Sequence, residues 1–209
     1  MWVPLEPARA HLVISKSRFI ASLYPVHSES EVRTVLAKIR TELPGASHHP
    51  YAYVLGGAIH QEHSSDDGEP GGTAGRPILQ TLKSREVEDA VLIVTRYFGG
   101  IKLGTAGLAR AYREAALQVL EIASLGQKVR VTILSMGIPY SWYEYVEKQL
   151  PHFNAHLLTR EFTTEVHLTL AIPHDAITSF LTFIETSTRG QAQATVLEED
   201  VERVVPAQK

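Results

Sequence analysis

The chain has 209 residues, 44% of them apolar and 21% charged, a globular rather than a disordered composition. A net charge of −3 and the absence of cysteine exclude an all-over basic coat for nucleic acid, disulfides and thiolate metal sites. No apolar run approaches the roughly 18 residues of a membrane helix, and Met1-Trp2-Val3-Pro4-Leu5-Glu6 lacks a signal-peptide pattern, so the cytoplasm is the expected location.

Residues 11–14 and 18–24 read as strands around a Ser15-Lys16-Ser17 turn. Ser28 or Ser30 caps a helix carrying Val32, Val35, Leu36 and Ile39, which ends near Pro44-Gly45. Residues 51–59 read as a strand and the polar, glycine-rich residues 60–73 as a loop. Residues 78–82 suit a short helix. Residues 91–97 are apolar and β-branched, as in a central strand. Gly99-Gly100 breaks that strand, and residues 105–122 form a long helix with Leu108, Ala111, Tyr112, Ala115 and Val119 inward. Gly126 reads as the joint between two halves, 1–126 and 127–209.

The second half follows a simple pattern. Val129, Val131 and Ile133 alternate with polar residues, the period of a half-buried strand. Trp142, Val146 and Leu150 form a helical stripe that Pro151 stops. Strands follow at 156–162 and 166–172. Ile177, Phe180, Leu181 and Ile184 mark a helix over 175–186, and Ala192, Ala194 and Val196 a last strand. The order β-α-β-β-α-β is that of a ferredoxin-like domain. No catalytic cluster is visible along it.

Eight of the 14 glycines lie between Gly68 and Gly107, so the first half holds the unusual backbone. Residues 1–126 carry 13 Lys and Arg against 13 Asp and Glu, whereas residues 127–209 carry 7 against 10. Any surface for nucleic acid is therefore local and lies on the first half. No dinucleotide fingerprint, Walker loop, nucleophile elbow or zinc-protease motif is present. What remains is two glycine-rich turns with cations beside them. Gly99 and Gly100 sit between strand and helix, with Arg96 before them, Lys102 within the turn and Gly104 at the helix start. Such a turn offers backbone N–H groups and a helix dipole to an anion. Arg76 follows the other glycine-rich turn, and Arg110 and Arg113 share one face of the long helix. These glycines equally suit tight turns, and the arginines equally suit ion pairs with Glu69, Asp89 or Glu114. His48, Asp66, Asp67 and Glu69 form a second candidate set, able to ligate a cation or to shape a turn.

Three segments carry a resemblance: Tyr51-Ala52-Tyr53; Ser65-Asp66-Asp67-Gly68-Glu69-Pro70 with Thr73-Ala74-Gly75-Arg76-Pro77; and Val94-Thr95-Arg96-Tyr97-Phe98-Gly99-Gly100-Ile101-Lys102-Leu103-Gly104. They resemble the signature of the YigZ/IMPACT family, and the resemblance spans essentially the whole chain. His49 stands where the family commonly has asparagine, and Thr105 where it has Ala or Pro. The resemblance implies an α+β protein of two domains. The first, 1–126, is similar to the second domain of a small-subunit ribosomal protein. The second, 127–209, is ferredoxin-like and similar to the last domain of elongation factor G. It implies a non-catalytic protein that binds RNA, the ribosome or a translation factor and regulates translation. The alternative is an enzyme that uses a divalent metal on a phosphorylated or anionic small molecule. The main reading assigns no catalytic residue, cofactor, metal or membrane contact. Its anion-binding candidates are Arg76, Arg96, Gly99, Gly100, Lys102, Gly104 and Arg110.

Overall fold

The computed structural model describes residues 1–57 and 59–206. Contacts divide the chain into two compact units, essentially Met1–Gln127 and Lys128–Val205.

In chain order the first unit contains β1 (Trp2–Pro4), β2 (Ala8–Ile14), β3 (Ser17–Pro25), α1 (Glu29–Glu42), β4 (Tyr51–Leu55), β5 (Gln61–Ser65), α2 (Gly75–Ser84), β6 (Ala90–Tyr97) and α3 (Gly104–Ile122). Five strands form one antiparallel sheet in the order β2-β3-β6-β4-β5. The apolar, β-branched run at Ala90–Tyr97 is its central strand, because both faces are covered. Leu92 and Val94 pack with Ile78 and Leu82 of α2 and with Tyr112 and Val119 of α3. Their neighbours Val91 and Ile93, on the opposite face, pack with Val32, Leu36 and Ile39 of α1. Ser28 caps α1 by accepting the Glu31 N–H. Ser15 and Lys16, both at positive φ (46° and 66°), make the tight β2–β3 hairpin.

One expectation changes. Residues 61–65 are a strand rather than a loop, pairing with β4 from Tyr51↔Ser65 to Leu55↔Gln61. This edge strand is mostly exposed, so it carries no apolar alternation to betray it. The division between the two units falls between Gln127 and Lys128, just after Gly126. Gly126 lies inside β7 (Leu125–Ile138), whose first three residues pair with β1.

The second unit continues along β7 with α4 (Tyr140–Gln149), β8 (His156–Phe162), β9 (Val166–Pro173), α5 (Ile177–Thr188) and β10 (Gln193–Pro206). Its sheet has the order β10-β7-β9-β8, the arrangement of a ferredoxin-like fold. Leu134, Met136, Leu168 and Leu170 meet Val146 of α4 and Phe180 and Ile184 of α5. The whole is a two-domain α+β architecture. Among the described residues no helix is long and apolar enough to cross a membrane.

Candidate functional site

Two of the signature segments, 65–77 and 94–104, meet at the end of β6, whereas Tyr51–Tyr53 pairs with its first half, from Tyr51↔Ile93 to Tyr53↔Val91. Residues 47–50 run antiparallel to the end of β6, with the Ser47 and Arg96 backbones bonded (2.9 Å) and the Arg96 N–H donating to the His48 carbonyl (2.9 Å). The loop after β5 is organised by its acids. Asp66 accepts the N–H groups of Gly72 (2.8 Å), Ala74 and Gly75 (both 2.9 Å). It therefore satisfies the first donors of α2, whose N-cap Ala74 has no side-chain acceptor. Burial raises the Asp66 carboxyl, but these three donors together outweigh it and hold the group below the usual carboxylate value. Asp67 accepts from Arg40 (3.0 Å) and from the His49 N–H (2.7 Å). Its carbonyl faces His48 Nδ1 at 2.8 Å. A carbonyl only accepts, so His48 carries its proton on Nδ1 and leaves Nε2 as the acceptor when neutral.

Beneath the cleft lies a buried polar core. Glu69 Oε1 accepts from Arg96 Nη1 (2.7 Å) and from the Tyr112 hydroxyl (2.6 Å). The Arg96 and Glu69 side chains are only 7% and 3% exposed. Arg96 Nη2 reaches Ser17 Oγ at 3.4 Å, and Nε is buried with no partner among the described residues. The guanidinium lies 5.6 Å from the Phe19 ring centre and 5.4 Å from that of Phe98. Burial, and then the bond to Glu69, push the Tyr112 phenol far above its ordinary value, so it remains a donor.

Above this core opens a cleft of about 410 Å³. Phe98, 48% exposed, forms an aromatic wall. His48 and Pro70 line the loop side, and Lys102, Gly104 and Thr105 the side of α3. Among the described residues no side chain caps α3, and no acid lies in its first turn, so its terminal N–H groups and positive dipole end have no capping acceptor. The arrangement offers a flat ring to stack on, a mobile ammonium and a helix terminus that favours negative charge.

The structure sorts the expected site residues differently from the sequence reading. Lys102, Gly104, His48 and Glu69 do share this cleft, and Arg96 forms its floor. Arg96 is not a free fork for a ligand, because Glu69 and Ser17 occupy it. Gly99 does not offer its N–H to a ligand either, since that group donates to Ser17 Oγ (3.2 Å). Gly99 is required for another reason: a Cβ there would lie 2.0 Å from the Lys16 backbone. Gly100 has φ +85° with open space around it and serves the turn. Arg110 is not in the cleft. It lines a separate groove with Arg113, and Arg76 lies exposed on α2. Asp66 and Asp67 shape the loop. Among the described residues no three His, Asp or Glu side chains gather as a cation site, and the guanidinium against Glu69 disfavours a cation there.

Sequence reasoning missed Tyr112 and Ser17 as partners of the buried pair, since each reads locally as an ordinary core or turn residue. Phe98 was readable only as one of several aromatics able to stack or to fill the core. Its place directly after a central strand and before two glycines is the signal that would have singled it out.

Comparison with known proteins agrees with the signature. The Impact N-terminal domain matches residues 15–120, and a domain of unknown function (DUF1949) matches residues 136–191. The chain is 34% identical over 187 residues to IMPACT family member YvyE of Bacillus subtilis, covering 90% of this chain and 86% of that one. It is 31% identical over 199 residues to IMPACT family member YigZ of Escherichia coli, covering 94% and 98%. Among solved structures, the crystal structure of a hypothetical protein matches with TM-score 0.59 at 32% identity, over 95% of this chain and 97% of that one. The two-domain translational regulator Yih1 matches 56% of this chain and 46% of its own at 25% identity, with a TM-score of only 0.35.

Proposed function

Starting from the fact that the chain belongs to the IMPACT family, we propose that it is a non-catalytic protein of translational control that contacts RNA, including ribosomal RNA, through the cleft above Arg96. The observation that carries this reading is the meeting of the exposed Phe98 ring, Lys102 and the uncapped start of α3 around one opening. A base stacks on an aromatic face, and its phosphate is held by point charge and helix dipole.

The charge distribution supports it. In the first unit Arg9, Arg33, Lys38, Arg40, Lys83 and Arg96 are paired with carboxylates. Lys102, Arg76, Arg110 and Arg113 have no carboxylate partner among the described residues. Of the seven cations of this unit without a carboxylate partner among the described residues, Arg76, Arg85, Lys102, Arg110 and Arg113 lie on or beside α2 and α3, and Lys16 and Arg18 on the β2–β3 hairpin.

The test is binding of oligouridylate by fluorescence anisotropy over a salt series, beside cosedimentation with ribosomal particles at low and high salt. Affinity should fall with salt by a log–log slope of about −0.7 for each phosphate neutralised. Lys102→Glu should weaken all sequences alike without changing the melting temperature. Wild-type protein that neither binds the oligomer nor sediments with ribosomal particles at low salt would refute the proposal.

A further inference from the structure

A second opening lies between α2 and α3, a groove of about 360 Å³. Its lining is polar and cationic: Gln80, Thr81 and Ser84 from α2, Arg110 and Arg113 from α3, with only Pro77 and Ala109 as apolar members. No acid lines it. Both arginines are exposed, and neither has an ion-pair partner among the described residues. Arg76 stands one turn before Gln80, on the same face of α2.

We propose that this groove holds the phosphodiester backbone of the same RNA strand whose base occupies the Phe98 cleft, an inference that rests on the function proposed above. Three observations lead there. Arg110 and Arg113 are three residues apart, with Cβ atoms about 5–6 Å from one another, so one guanidinium can grip each of two neighbouring phosphates. No aromatic or large aliphatic side chain lines the groove to pack against the anchors of an acidic peptide. Finally, Thr105, Ala109 and Arg113 form one i, i+4, i+8 row on α3, with Thr105 in the cleft and the other two in the groove. The row rises about 12 Å, a distance that three or four stacked nucleotides span at about 3.4 Å each. The cleft sets where the strand begins and the groove sets how many nucleotides count.

The experiment is a length series of oligouridylates, from one to eight nucleotides, against the full chain and the variants Lys102→Gln and Arg110→Gln with Arg113→Gln. Wild-type affinity should rise steeply up to about four or five nucleotides and slowly thereafter. The double arginine variant should bind the dinucleotide as the wild type does but lose the gain with length. Losing two phosphate contacts reduces the salt slope by about 1.4. Between roughly 50 and 200 mM salt, wild-type binding of the pentanucleotide should therefore weaken about sevenfold more than that of the variant. The arginines are exposed on a helix, so an unchanged melting temperature verifies the fold, and the wild-type length series tests the idea without any variant. RNA binding that depends on Lys102 but shows the same length gain in the double variant overturns the groove and leaves the cleft standing. Absence of any RNA binding overturns both. An acidic peptide bound with the same arginine dependence, in place of RNA, overturns the choice of occupant.

Discussion

Replacing Glu69 by alanine should destabilise the first unit more than any exposed substitution in the site. Among the described residues the carboxylate is the one acid paired with Arg96, at 2.7 Å, and both side chains are almost wholly buried. Removing one partner of such a pair leaves a charge in a medium that solvates it poorly, which costs about 3–5 kcal/mol. The Tyr112 hydroxyl also loses its acceptor, and burial denies it water in exchange. For a unit of this size that loss lowers the melting temperature by ~10 °C or more. The decisive comparison is a double-mutant cycle by urea denaturation. Glu69→Met alone and Arg96→Met alone should each be costly. The two together should cost much less than their sum, because the pair repays little net energy over an apolar isostere. A coupling of at least ~2 kcal/mol is expected. If the single costs add to within about 0.5 kcal/mol of the double, the two groups act independently and the reasoning is refuted.

The glycines of the β6–α3 turn should separate by mechanism. Gly99→Ala drives a methyl into the Lys16–Ser17 backbone and should cost about 3 kcal/mol or more, whereas Gly100→Ala adds only left-handed strain in open space, about 1–2 kcal/mol; equal melting temperatures would contradict the close approach. Asp66 has a folded-state pKa below its ordinary value, so its stabilisation is present above about pH 4 and is lost as pH falls through the folded value. Asp66→Asn should cost about 1 kcal/mol at neutral pH and flatten the acid limb of the melting profile; an acid limb matching the wild type would count against the three-donor account. The fragment 128–209 contains β7 from Lys128 onward with α4, β8, β9, α5 and β10 and should unfold cooperatively by itself, as circular dichroism can check; a broad, non-cooperative melt would argue against independent folding.

Periodicity alone determined much of the architecture. The alternation at Val129–Ile133, the stripe at Trp142–Leu150 and the i, i+3, i+4, i+7 spacing at Ile177–Ile184 define strand and helix because each buries one face, and a buried face must be apolar. The same logic marked residues 91–97 as central, since a strand covered on both sides is apolar throughout. It could not mark Gln61–Ser65, an exposed edge strand held by backbone bonds that leave no trace in side-chain type. Nor could it place the start of β7, where a strand runs through Gly126.

Two of the signature segments meet around one cleft, but the sequence does not reveal the roles within it. Asp66, Glu69, Arg96 and Lys102 are all charged and all lie near glycines. Only the tertiary structure shows that Asp66 closes a helix start, that Glu69 and Arg96 neutralise one another below the cleft, and that Lys102 stays free at its edge. A charge is available to a ligand only when no partner distant in sequence has claimed it. Glu69 and Arg96 are 27 residues apart, and Ser17 stands 79 from Arg96. Composition reports how many charges there are, but which ones remain unpaired is settled by the packing of α2, α3 and the β-sheet.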